Sequence, residues 1–232
     1  YASYVELHNL STNTLSLGGL RIEGVDADIG YGQMIGPTGY VVIAGNKSGY
    51  QGAYTNAEVV VDTFKGTLDN GGETLRLLRP VGSNAWVEID RVTYGDDPPW
   101  PALTDGGGAS LQLIDATRDN NRVGNWAVDL SRPFTPGEAN SVSAVLPEWP
   151  LVWINEVMPT NSPASSIADG AGDHDPWVEL YNAGSNDVDL GASDFYLSDD
   201  YNNPTQWPFP AGAVITNGQR LLVWADDEPG EG

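Results

Sequence analysis

Apolar residues recur mostly at every second position along the chain, in short runs separated by Gly, Pro, Asn and Asp, and helical periodicity is nearly absent. A period of two belongs to strands with one buried face, because successive side chains leave opposite sides of an extended backbone. The runs are "YVELHN" (4–9), "TLSLGGLRI" (14–22), "YVVIA" (40–44), "EVVVDTF" (58–64), "ETLRLL" (73–78), "WVEIDRVTY" (86–94), "ASLQLI" (109–114) and "NWAVDL" (125–130). Between them, "GPTG", "DNGG", "DDPPWP" and "DGGG" supply the backbone angles of tight turns. Many short strands at this spacing predict an all-β chain folded as a sandwich or barrel.

The pattern occurs twice. "YVELHNLSTNTLSLGG" (4–19) matches "WVELYNAGSNDVDLGA" (177–192) at a constant offset of 173, so that Val5, Glu6, Leu7, Asn9, Asn13, Leu17 and Gly18 fall on Val178, Glu179, Leu180, Asn182, Asn186, Leu190 and Gly191. "GYVVIA" (39–44) aligns with "QRLLVWA" (219–225). The Pro-, Ser- and Ala-rich stretch "FTPGEANSVSAVLPEWP" (134–150) separates the copies, giving domains at 1–140 and 151–232 joined by a linker at 141–150. "WINEVMPTN" (153–161) has no counterpart before Tyr1, and copy 2 stops near the position equivalent to Gln51. The expectation is a piece of a longer tandem array, its first copy lacking a first strand and its second copy truncated. In each copy the aliphatic pair, Val5 with Leu7 and Val178 with Leu180, is expected to enter the core. The opposite side, Tyr4, Glu6 and His8 or Trp177, Glu179 and Tyr181, is expected to meet solvent or a neighbour.

The order of "INEVMPTN", an acidic loop, "DPWVELYNAGSNDVDLGASDFYLSDD" and "FPAGAVITNGQRLLVWA" resembles the front half of a bacterial lamin-tail domain. Copy 1 resembles the remainder, through "LSLGGLRI", "GTLDNGGETLRLL", "WPALTDGGGASLQLIDATRDNN" and a closing "TPGEAN". The resemblance implies tandem immunoglobulin-like β-sandwiches. It also implies a non-catalytic module of a large secreted or cell-surface bacterial protein, of the kind found beside hydrolase or nuclease domains.

Composition narrows the function classes. Thirty-two acids against ten bases give a net charge of -22, which repels a phosphate backbone and disfavours nucleic acid as a partner. No run of about 18 apolar residues exists, so no membrane insertion is expected. Cys is absent, which removes disulfides and thiolate metal sites. The charge is uneven. Residues 1–150 hold 18 acids and nine bases, while residues 151–232 hold 14 acids and the single base Arg220. Uncompensated acid in copy 2 suits a hard divalent cation, and Ca²⁺ binds through carboxylate, carbonyl and water oxygens of flexible loops.

In "DGAGDHDPWVELYN" (169–182) the leading candidate ligands are Asp169, Asp173 and Asp175, followed by Asp199 and Asp200 of "SDDYNN". Ca²⁺ is the expected cofactor, set against a loop whose acids are merely solvated. The polar loop "DATRDNNRVGNW" (115–126) reads as turn-forming, since Asx side chains bond their own backbone and Arg118 and Arg122 balance its acids. No nucleophile elbow, zinc-protease helix motif or phosphate loop is present, and the chain has only two His, so no enzyme activity is expected. Glu6 and Glu179 occupy matching sites in the copies, which fits a structural role better than a glycosidase pair. Eight Trp and ten Tyr allow carbohydrate stacking, although cores account for most such residues. The remaining partner expectation is protein, including a second copy, bound at open sheet edges. Asn9-Leu10-Ser11 and Asn46-Lys47-Ser48 match the glycosylation sequon.

Overall fold

A computed structural model describes residues 2–104, 106–165 and 167–226. The chain divides into two units, Tyr1–Leu146 and Pro147–Gly232. The first contains β1 (Tyr4–His8), β2 (Leu15–Ser16), β3 (Arg21–Glu23), β4 (Ala27–Asp28), β5 (Met34–Ile35), β6 (Tyr40–Ala44), helix α1 (Lys47–Ala53), β7 (Val60–Thr63), β8 (Gly72–Val81), β9 (Ala85–Gly95), β10 (Gln112–Leu113) and β11 (Trp126–Ala127). The second contains β12 (Val152–Met158), β13 (Trp177–Asn182), β14 (Val188–Asp189), β15 (Tyr196–Leu197), β16 (Trp207–Pro208), β17 (Val214–Ile215) and β18 (Arg220–Trp224). The fold is all-β, as the alternation predicts.

In the first unit a three-stranded sheet, β1-β6-β7, faces a four-stranded sheet, β4-β3-β8-β9. Val5 and Leu7 of β1 and Val41 and Ile43 of β6 meet Leu75 and Leu77 of β8, with Ile22, Val25, Ile35 and Phe64 filling the layer between. Ile43 is fully enclosed, and burial of a side chain this size stabilises the fold by about 1.5–3 kcal/mol. This is a two-sheet β-sandwich core, and the aliphatic pair of "YVELHN" enters it.

The opposite side of the same sheet departs from expectation. Tyr4 and Glu6 are only partly exposed, because Tyr50 of α1 packs against Tyr4 and Gly137 N–H donates to Glu6. Val42, Ala44, Val60 and the fully buried Tyr50 of α1 form a second cluster there, joined by Tyr4 and Tyr54. Phe134 meets the Tyr54 ring edge-on at 4.9 Å, and Asn56 Nδ2 donates to the Pro136 carbonyl. Helix α1 has little amphipathic signal. It forms because Asn46 caps its N-terminus, accepting from Gly49 N–H at 2.8 Å, and because Tyr50 anchors its single buried position. The predicted run 14–22 is broken into β2 and β3 by a turn in which Gly19 takes a φ of +85° and Leu20 N–H donates to the Leu17 carbonyl at 3.0 Å. Residues 141–146 are tied to the first unit: Gln112 Oε1 accepts from Ser141 N–H, and Asp115 Oδ2 accepts from Leu146 N–H.

The second unit is built on β12-β13-β18, all antiparallel, with two-stranded ribbons β14-β17 and β15-β16. Its core comprises Leu180, Leu190, Phe209 and Ile215, with Val178, Leu197, Leu221 and Val223 packed against them. Val178 and Leu180 therefore face inward, as the alternation requires, whereas Trp177 on the opposite side is itself only 4% exposed.

Both units use the same buried polar hub. Asn9 Nδ2 donates to the carbonyls of Asn13 and Ile35, and Asn182 Nδ2 donates to those of Asn186 and Ile215. The Asn9 amide oxygen accepts from Ser11 N–H and that of Asn182 from Gly184 N–H, both at 2.9 Å. A buried side chain that satisfies turn carbonyls and amides removes a desolvation cost which no aliphatic residue could relieve. The glycine that follows also matches: a Cβ on Gly191 would lie 2.3 Å from the Pro210 carbonyl oxygen.

Candidate functional site

The acidic loop before β13 is organised by its own backbone. Asp169 Oδ1 accepts from the amides of Ala171, Gly172 and Asp173 at 3.0, 2.7 and 2.7 Å, and Gly172 takes a φ of +97° to make that turn. Asp169 N–H donates to the Asp173 carbonyl at 3.1 Å, closing the loop. His174 Nδ1 and Asn161 Nδ2 both meet the Ile167 carbonyl, at 2.8 and 2.9 Å, and fix the loop's other side.

The β13-β18 register delivers a carboxylate that is remote in sequence. Trp177 pairs with Trp224, and Ala225 N–H donates to the Pro176 carbonyl at 2.8 Å. One step further along the same register, Asp226 faces Asp175. Asp169, Asp175 and Asp226 each bring a carboxylate oxygen to within 4.8 Å of the others. Two oxygens that share one Ca²⁺ at about 2.4 Å can be no more than about 4.8 Å apart, so the span fits a common cation. Desolvation, followed by Asp173, Asp226 and Asp169, pushes the Asp175 carboxyl above its ordinary range, while His174 acts weakly the other way. One of its oxygens is enclosed and has no hydrogen-bond partner among the described residues.

Of the sequence candidates, Asp169 and Asp175 join this group. Asp173 is exposed and contributes through its backbone to the loop turn. Asp199 and Asp200 are exposed between β15 and β16, where Asp200 Oδ1 accepts from Asn202 N–H at 2.9 Å, and they do not join it. Asp226 escapes a reading based on local clustering because it follows Asp175 by 51 residues. The signal that finds it is strand pairing: laying "WVELY" antiparallel on "RLLVW" sets Asp226 opposite Asp175. By the offsets of the repeat, 173 for the first strand and 180 for its partner, the matching positions of the first unit are Ala2 and Asn46. The acidic pair is therefore particular to the second unit and is not demanded by the shared framework.

The other candidates sit in structural roles. His8 stacks on Tyr40 at 4.1 Å, and burial lowers its pKa. Glu6 accepts from Gly137 N–H, and burial pushes it from 4.5 up to about 7. Glu179 accepts from Asn155 Nδ2 at 2.6 Å and pairs with Arg220 at 3.3 Å. In the 115–126 loop, Asp115 accepts from Thr117 Oγ1, Leu146 N–H and Thr117 N–H, which hold it below the ordinary carboxylate range. That loop forms turns, as its Asx content predicts. Asn9 has its side-chain nitrogen engaged and is 3% exposed, so its sequon is closed to glycosylation. No helix among the described residues is long and apolar enough to cross a membrane.

A family model described as Lamin Tail Domain matches residues 150–230. Neither the curated proteins nor the solved structures give a match.

Proposed function

We propose that the chain, whose residues 150–230 match the Lamin Tail Domain model of an immunoglobulin-like fold consistent with a non-catalytic module, is a structural or adhesive segment of a large secreted or cell-surface bacterial protein. In this reading its two units are tandem copies of one sandwich, stabilised by Ca²⁺ in the second. The chain holds partners, including other copies of itself, through its sheet edges. The observation that carries the proposal is the convergence of Asp169, Asp175 and Asp226 at a corner where the loop before β13 meets the end of β18. A cation there would tie two chain segments together and offset the desolvation that, with repulsion from Asp173, Asp226 and Asp169, raises the Asp175 carboxyl. It would do so within residues 151–232, whose 14 acids face a single base. Loop carbonyls and water would complete its coordination.

Calorimetric titration of the whole chain with Ca²⁺ tests this. Saturable binding in the range of extracellular modules, about 0.1–1 mM, is expected, and Asp175→Ala should abolish it. Absence of heat in the wild type, or undiminished binding in the variant, refutes the cation.

The second reading is a carbohydrate-binding accessory region of an extracellular hydrolase. It draws on Tyr201 and Trp207, 72% and 41% exposed on the β15-β16 hairpin beside Asn202 and Asp199. Quenching of Trp fluorescence by oligosaccharide, lost in Trp207→Ala, would favour it over the first.

A further inference from the structure

β9 is the outermost strand of the four-stranded sheet, and its free edge is protected over only part of its length. Asn121 Oδ1 accepts from Thr93 N–H at 3.0 Å, Asp90 Oδ1 accepts from Arg91 N–H at 2.9 Å, and Asn120 Nδ2 holds Asp90 in place. From Ala85 to Ile89 no such cap exists among the described residues. That stretch exposes Trp86, Val87 and Ile89 by 42%, 46% and 51%. In the second unit β12 is likewise an edge strand, with Ile154 64% and Val157 60% exposed. An edge that combines unpaired N–H and C=O groups with apolar side chains is a template for strand addition.

Charge selects between possible occupants. A chain of net charge -22 repels its own copies, yet residues 72–95 carry three bases (Arg76, Arg79, Arg91) and three acids (Glu73, Glu88, Asp90) and are neutral as a hairpin. Arg79, paired across the hairpin with Val87, makes no ion pair among the described residues, whereas every other arginine there pairs with a carboxylate. Glu156, between Ile154 and Val157 on β12, is exposed, and its side chain has neither ion pair nor hydrogen bond among those residues. An unmatched cation beside exposed Val87 and an unmatched anion beside exposed Ile154 and Val157 are complementary in charge and in apolarity.

We propose that the Ala85–Ile89 edge of one copy pairs as a strand with the β12 edge of a second copy, Arg79 meeting Glu156 across the junction. The two surfaces differ, so each contact joins unlike faces of two copies. This deepens the proposed self-associating module and rests on it.

Sedimentation velocity of the full chain at low ionic strength, over a wide concentration range, provides the test. Association should strengthen with concentration and weaken with salt. Arg79→Glu alone and Glu156→Arg alone should each shift it to about tenfold higher concentration, since like charges then face each other. Both sites are exposed, so the folds should persist. Mixing the two single variants should restore association, because each hairpin then faces an opposite charge. A wild type that is monomeric at every concentration, single variants that associate normally, or a mixture without rescue each overturn the proposal. The calcium titration reads binding at Asp169, Asp175 and Asp226 within one copy, so a failure of strand pairing is separable from a failure of the module reading.

Discussion

Replacing Glu6 by Gln should stabilise the first unit increasingly as pH rises above 4.5, and most at pH 7 and above. The Glu6 carboxyl lies under Phe134–Gly137 and beside Tyr4, with its one described hydrogen bond coming from Gly137 N–H. Burial is the main cause that raises it from 4.5 to about 7. The folded state thus binds this proton more tightly than the unfolded chain. The resulting penalty is absent below pH 4.5, grows as pH rises to 7, and is complete above it. At about 1.4 kcal/mol per pH unit the full penalty reaches about 3 kcal/mol. Gln keeps the acceptor for Gly137 and removes the ionisation. The neighbouring hydroxyls of Tyr4 and Tyr50 are held above their ordinary range by burial, the latter at about 12, and do not titrate in this window. Urea unfolding followed through the near-ultraviolet tyrosine signal, from pH 4 to pH 8, should show equal stability at the acid end. At pH 8 the variant should gain about 3 kcal/mol, or about 6–12 °C in melting temperature. A difference independent of pH, or a variant less stable at pH 8, would refute the reasoning.

Two further outcomes concern the framework. Asn182→Ala leaves the Ile215 carbonyl and the Gly184 amide without their side-chain partner inside the second unit, which should cost about 3 kcal/mol. Asn9→Ala should do the same to the first unit alone, and urea melts read by unit-specific amide exchange separate the two. Gly191→Ala drives a Cβ into the Pro210 carbonyl and should destabilise the second unit by about 2 kcal/mol or more, measurable as a lower denaturant midpoint.

Strands whose alternation matched one buried face were legible before any coordinates: "YVVIA" is β6 from end to end, and the inward pair Val178 and Leu180 follows from periodicity alone. Helix α1 was not legible, because seven residues with two Gly have no propensity to form without Asn46 as cap and Tyr50 as anchor. Nor was the burial of Glu6, which depends on a segment 131 residues away returning over the sheet. Two members of the acidic cluster were visible as neighbours in sequence, whereas Asp226 enters only through the register of β13 on β18. Asp173, the central acid of the run, turns out to shape the loop through its backbone.

The central claim, that the acidic corner of the second unit holds a cation, is tested most directly by amide-resolved NMR during Ca²⁺ addition. The account predicts saturable shifts confined to residues 169–177 and 224–226. Shifts absent from those segments, or centred on Asp199 and Asp200, would contradict it.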